Sequence, residues 1–446
     1  MNAPTNVPQL RAILRTLKSS EIDLALSDLL SSGAGEWMSR TQKYADGRAR
    51  AALRRTHPLP VQSARAMKQY VAASVFLHTA DSWSLLGRAM SAFATGDVPI
   101  AQHLLYYSEL RAAQAIMSRY GIVLIDKNPF CYVGADKTES LRAVLALPTT
   151  HAATWDVFSA WADEYAAEFL GKSIRVAGFT ATDWADARPV PVSLNSTAAE
   201  LVKRWGLDLE KMKAERSTRN SVSYEPARLI KSESSLTPAM VASAFQEVWS
   251  LLEPSGATSL ENFDRALLRQ ILQVSFKSAH GVTHRSRRRF TADTKATLAN
   301  LGLDKRDFGL EDYLLDDAPS TDVLKSAKEP APLRPRSDSK EFLAMRTRAS
   351  ILARFALGAA KDLAQSAGLR KGDLSFWVGD LLSSHAIAFE DDGAYLDLWD
   401  EMSQALEQLE PMQALTSPAD FPATRNWAAQ IGLLSSFERV AAWAVA

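Results

Sequence analysis

A chain of 446 residues has room for two to four domains of roughly 100–200 residues each. Its hydrophobic fraction of 47% and charged fraction of 23% are those of a globular protein that buries a real core. Its 51 basic residues balance 51 acidic ones, which excludes coating of nucleic acid by bulk charge and leaves only local basic patches.

Nearly every segment carries helical spacing. Apolar residues recur every three to four positions over Pro8–Thr16 and Glu21–Leu30, and "SSGAG" stops the second run. "QYVAASVFLHTADSWSLLGRAMSAFATG" predicts one or two helices over Met67–Thr95, with Gly96 as the residue that takes φ > 0 past the end. After "DVP", the stretch "IAQHLLYYSELRAAQAIMSRYGI" predicts a helix from Ile100 with a dense alanine face, closed at Gly121. The β-branched "IVLIDKNPFCYVGADKT" then reads as a loop with at most one small strand, because it is short and holds a proline.

A further helix is predicted over Thr150–Phe169. Thr197 and Glu200 have capping-box spacing, and Gly206 closes that short helix. Thr237 followed by Pro238 marks another start, with the cap residue first and proline at the first helical position. That helix ends near Pro254, and another spans Leu260–Lys277. Asp316–Lys340 concentrates Pro, Ser and Asp and reads as the main linker. The last hundred or so residues carry four helical patterns with tryptophans, a second small bundle in which "ARFALGAA" is only an alanine-rich helix.

The expected organisation is therefore all-α. It comprises an N-terminal helical extension (1–66), a central bundle (67–254), a helical and basic segment (255–315), the linker (316–340) and a C-terminal bundle (341–446).

Three ordered blocks carry a family resemblance. The first is "AQHLLYYSELRAAQAIMSRYG", the second "THAATWDVF" with His151, and the third "RNSVSYEP" from Arg219 to Pro226. Together they resemble HEPN domains, which are four-helix bundles, over about residues 67–254. The resemblance implies an RNA-associated role of the kind such domains play in bacterial defence and conflict systems. It also implies the family's metal-independent endoribonuclease motif, an Arg and a His separated by four to six intervening residues, often assembled across a dimer. In that chemistry a histidine titrating near pH 6.5 moves the proton. The arginine holds the phosphate through bidentate, charge-assisted bonds.

Here the motif departs at its decisive position. Arg219 and Asn220 are followed by Tyr224 rather than histidine. A phenol with a pKa of about 10 is a poor base at neutral pH. His103 and His151 are the substitutes within the resembling region. The same five residues have a bland reading, as helix caps and packing groups. Arg50 and His57 also fit Arg-x6-His, but they lie outside that region.

The second candidate site is "HGVTHRSRRRF", His280–Phe290, which follows Lys277. Lys277, Arg285, Arg287, Arg288 and Arg289 suit phosphate contacts, with Phe290 for a base. The competing reading is a solvated basic loop balanced by the acidic run from Glu311 to Asp317. His280 and His284 have helical metal spacing, yet no zincin-type carboxylate follows, so no metal is expected.

Cys131 is the only cysteine, which excludes a disulfide framework and fits a reducing cytoplasm. No signal peptide or membrane span is expected. No Walker, dinucleotide or nucleophile-elbow motif is present, and no cofactor is expected. The leading expectation is a non-catalytic or conditionally active nucleic-acid-binding and assembly protein, with RNA and a homodimer or protein partner. The alternatives are an endoribonuclease built on Arg219 and a scaffold without nucleic-acid contact.

Overall fold

A computed structural model of the chain describes residues 5–31, 48–55, 64–125, 128–135, 137–146, 150–189, 194, 198, 201, 205, 235–254, 260–280, 286–303, 308–316, 339–370, 373–374 and 394–445. Of these, 77% are helical and 5% lie in strands, so the fold is all-α, against about 30–35% helix in an average domain. The N-terminal helices are α1 (Val7–Leu14), α2 (Ser20–Ser31), α3 (Arg48–Arg55), α4 (Arg65–Ala94) and α5 (Val98–Arg119). Next come α6 (Thr150–Ser173), α7 (Ala181–Asp186), α8 (Pro238–Leu252), α9 (Glu261–His280), α10 (Ser286–Asn300) and α11 (Phe308–Leu315). The last are α12 (Ser339–Ser366), α13 (Ala394–Gln408), α14 (Ala428–Leu434) and α15 (Glu438–Val445), with two 3-10 segments, Glu410–Ala414 and Pro418–Trp427, before α14.

Local signals set many ends. The Thr237 side chain accepts from the Met240 amide at 3.2 Å and starts α8. Asp97 accepts from the Ile100 amide at 3.3 Å and starts α5. The turn between α4 and α5 needs glycine at position 96, where φ is +86° and the Phe421 ring lies 3.0 Å from where a Cβ would sit.

Residues 122–140 correct the sequence reading. They form a three-stranded antiparallel sheet of β1 (Ile122–Val123), β2 (Phe130–Gly134) and β3 (Lys137–Ser140). Ile122 faces Cys131, and Tyr132 faces Thr138. These strands are two to five residues long, too short for a period-2 pattern to show. A second ribbon, β4 (Arg175–Val176) and β5 (Phe179–Thr180), turns at Ala177 and Gly178, both at positive φ as a tight hairpin requires.

The long helices α4 and α5 have buried residues on every side, the signature of central helices. They approach closely enough for Ser82 and Ser108 each to donate to the other's carbonyl, at 3.0 and 2.8 Å. The alanine face of α5 is explained by this close approach: Ala112, Ala113 and Ala115 are fully buried.

The third central helix is α12, whose residues the sequence reading placed in a separate C-terminal bundle. It packs along α5 and α4 in one continuous core. Thr79 of α4 donates to the Ala356 carbonyl at 3.2 Å, within the "ARFALGAA" stretch. Buried charges fix its register. Arg346 meets Glu247 of α8 at 2.6 Å, Arg348 meets Glu109 of α5 at 3.4 Å, and Arg354 meets Asp264 of α9 at 2.7 Å. Such pairs add little net stability, but removing one partner leaves a buried charge uncompensated. The chain end returns to α4 and α8: Trp249 donates to the Leu434 carbonyl at 3.0 Å, and Phe437 stacks on Trp249 at 4.9 Å.

Candidate functional site

Arg219, Asn220, Tyr224 and Arg285 lie outside the described residues. His103 and His151 are described, and the fold brings them to one cluster. His103 and Tyr107 sit one turn apart on α5, with ring centroids 5.0 Å apart. His151, at the start of α6, faces the same Tyr107 ring at 5.6 Å. Behind them the fully buried Tyr106 takes a bond from the Trp155 indole at 3.4 Å, and its hydroxyl lies 3.4 Å from His151 Nδ1. Both histidines and Tyr107 are half-buried. The two imidazoles thus flank one phenol, an arrangement able to pass protons or to hold a planar ligand.

Arg111 lies on the same helix, one turn beyond Tyr107, but is engaged elsewhere. Its Nη1 donates to His78 Nδ1 at 3.2 Å, and its Nε lies 3.4 Å from Asp81. Burial, with the guanidinium adding to it, pulls the His78 pKa down to about 3, so the ring is neutral and can accept that bond.

The basic segment is helical from Ser286 onward rather than a loop. Phe276 of α9 and Phe290 of α10 meet edge to face at 5.3 Å. This contact sets Lys277 and Arg287–Arg289 at the same end of the helix pair, and all four are exposed. Phe290, offered by the sequence for base stacking, is spent on packing. Glu311, expected opposite the arginines, pairs with Lys295 at 3.0 Å. No acidic residue lies in the first turn of α10, the end of a helix whose dipole favours anions. His280 ends α9, and His284, which shares its His-x3-His spacing, lies outside the described residues.

A further site was not legible in the sequence. Side chains from α2, α5, α6 and α12 converge on a polar pocket of about 210 Å³. Its floor is Arg119, whose side chain is 7% exposed. Arg119 reaches Asp23 at 2.9 Å and Asp362 at 2.7 Å, and donates to Ser366 Oγ at 3.2 Å. Glu168 and Lys172 pair at 2.5 Å at the mouth, where both are more than half exposed. Tyr120 and Ser173 complete the wall. Burial raises the Asp23 pKa, Arg119 opposes that shift, and neighbouring Asp362 adds to it. Burial likewise pushes the Tyr120 phenol up, so it stays protonated. Its residues run from position 19 to position 366, and no local spacing connects them.

Among the described residues, no group of three or more His, Cys, Asp or Glu side chains is placed to hold a metal ion. None of their helices is long and apolar enough to cross a membrane. No protein-family model, curated protein or solved structure matches the chain.

Proposed function

We propose that the protein is a helical nucleic-acid-binding and assembly component, with RNA as its ligand class, acting with a second copy or a protein partner. The observation that carries this reading is the basic end of the α9–α10 pair. Three consecutive exposed arginines occupy the first turn of α10, and Lys277 lies beside them. Like charges at a helix N-terminus are unfavourable for the helix itself. A bound phosphate backbone would relieve that repulsion and accept bonds from the guanidinium forks. The RNA class rests on the resemblance to HEPN domains.

The test is binding of a fluorescent single-stranded RNA across a salt series. Arg287→Ala/Arg288→Ala/Arg289→Ala should weaken binding and reduce the log–log salt slope. Each lost phosphate contact removes about 0.7 units, hence about 2 for three contacts. Unchanged affinity and slope would sink this reading and favour a scaffold without nucleic-acid contact.

A second reading, a metal-independent endoribonuclease, draws support from His103 and His151 on one phenol ring. An acid and a base of this type are what 2′-hydroxyl attack requires. Incubation with total RNA in EDTA, followed by mapping of new ends, tests it. Cleavage that survives both His103→Gln and His151→Gln would remove these residues from the chemistry.

A further inference from the structure

We infer that the pocket between α4, α5 and the strand β1 binds the carboxylate of a small organic acid, with His78 and Gln114 as its donors. This goes beyond the nucleic-acid reading and does not rest on it, because the pocket shares no residue with the basic end of α9–α10 or with the His103–Tyr107–His151 cluster.

The argument begins with a fixed proton. Arg111 has donors and no acceptor, so the nitrogen it meets on His78, Nδ1 at 3.2 Å, must be the acceptor. Burial keeps the ring neutral, and its single proton therefore sits on Nε2. The same reasoning orients Gln114. Arg111 Nη1 lies 3.4 Å from Gln114 Oε1, which turns the amide nitrogen away from the guanidinium. Both residues line the pocket and Arg111 does not, so the pocket meets the edges that Arg111 leaves open. Among the described residues neither His78 Nε2 nor Gln114 Nε2 has a hydrogen-bond partner, and neither is sealed from solvent.

Charge selects the ligand. Among the described residues no acidic side chain lines the pocket, and Arg111 stands directly behind its wall, in contact with both donor residues. By donating to Nδ1, the guanidinium polarises the ring and makes Nε2–H a stronger donor. Asp81 meets Arg111 on another edge, Nε at 3.4 Å, and is exposed to water, so it offsets only part of that charge. A cation would face two N–H groups with a guanidinium behind them, whereas an anion meets complementary charge. Two donors of fixed direction suit the two oxygens of one carboxylate. Val71, Met117 and Ile122 bring apolar surface to the wall, which strengthens bonds made inside. Size fits as well. A volume of about 40 Å³, against the about 10–15 Å³ that one water needs, matches the three non-hydrogen atoms of a carboxylate group. The pocket is partly open to solvent, and its half-buried Leu124 and Ile125 leave a path for the acid's carbon chain.

The test is isothermal titration of the full chain with sodium acetate at neutral pH, with the ionic strength held by sodium sulfate. Sodium chloride and acetamide serve as comparison ligands. Saturable one-to-one binding of acetate is expected. Gln114→Glu keeps the shape and sets a negative charge beside the site, so it should weaken binding about tenfold or more. Asp81→Asn has the opposite sign: it releases Arg111 from its exposed carboxylate and should tighten binding several-fold. No saturable heat with acetate overturns the inference. So does equal affinity for chloride, which would mark an inorganic anion site. Equal affinity for acetamide would mean that the pocket reads a carbonyl without its charge, and also overturns it. Unchanged affinity in Gln114→Glu would place the acetate elsewhere on the protein, with the same consequence. Should Gln114→Glu fail to fold, Asp81→Asn decides, and unchanged or weaker affinity in that variant overturns the inference.

Discussion

Gly87→Ala tests whether the chain end docks on the central helix. Gly87 lies inside α4, where alanine is normally the better residue by about 0.8–1.0 kcal/mol. Propensity alone therefore predicts stabilisation. Packing predicts the reverse, because a Cβ at position 87 would sit 1.9 Å from the Ser435 carbonyl oxygen and 3.3 Å from the Phe437 ring. The first contact is with backbone, so relief requires a shift of roughly an ångström or more in the 434–437 segment. That segment supplies the Leu434 carbonyl to the Trp249 indole at 3.0 Å, and Phe437, fully buried, stacks on Trp249. Stranding a buried indole donor costs about 1–3 kcal/mol. Partial exposure of Phe437 adds about 1–2 kcal/mol. Net of the propensity gain, Gly87→Ala should destabilise by about 1–4 kcal/mol. Urea unfolding followed by tryptophan fluorescence measures the loss, and limited proteolysis should cut earlier near the C-terminal end. Gly432→Ala is the control, since nothing lies within 4 Å of the added Cβ, and it should be neutral or stabilising. A Gly87→Ala protein as stable and as protease-resistant as the parent would refute the docking of 434–437 on α4.

Acid should act through His78, which is held neutral with a pKa of about 3. Arg111, Asp81 and Tyr70 are the charged or titratable neighbours around it. The unfolded ring titrates near 6.5, so this stabilisation is complete above that pH and is lost as pH falls toward 3, by at most about 5 kcal/mol. His78→Gln should flatten the wild-type decline between pH 6.5 and 4 in denaturant titrations; parallel curves would remove His78 as the cause. Arg354→Ala strands Asp264 in the core and should cost about 3–5 kcal/mol in urea unfolding, whereas a loss below 1 kcal/mol would mean that the pair is solvated. Burial pushes the Cys131 thiol up to about 12, so the folded protein should resist alkylation at pH 8 and label only once unfolded. Labelling of the native state at a free-thiol rate would contradict the burial of β2.

What could be read from sequence was local. The start at Thr237–Pro238 and the turns at Gly96 and Gly121 are fixed by side chains and dihedrals within four residues, and each falls where its signal predicts. The sheet at 122–140 was not legible, because its pairing is completed from outside. Lys18 donates its amide to the Tyr132 carbonyl at 3.1 Å, and Gly121 accepts from the Tyr132 amide at 3.1 Å. The cluster around Tyr107 was half legible. His103 and Tyr107 share a helix face by spacing, but His151 joins them only through the packing of α6 on α5.

The role of α12 was hidden for a sharper reason. In "FLAMRTRASILARFALGAAKD" the arginines fall at 346, 348 and 354, and a charged residue is ordinarily assigned to solvent because unpaired burial is too costly. A helix with charges at these positions then reads as amphipathic and peripheral. Each cost is offset by an acid on a different helix, and Glu109, Glu247 and Asp264 are each separated from their arginines by long stretches of chain. Single acids inside apolar helices look like solvent-facing residues too, so neither half of a pair announces the other. The remaining clue is that Ala349, Ile351, Leu352, Ala353, Phe355 and Ala356 are fully or almost fully buried around the full turn, which leaves no solvent face for Arg348 and Arg354 to occupy. A helix apolar on all sides yet carrying isolated arginines must bury them, and so must find them carboxylates. The same logic applies to Arg119 at the end of α5, which is met by Asp23 of α2 and Asp362 of α12.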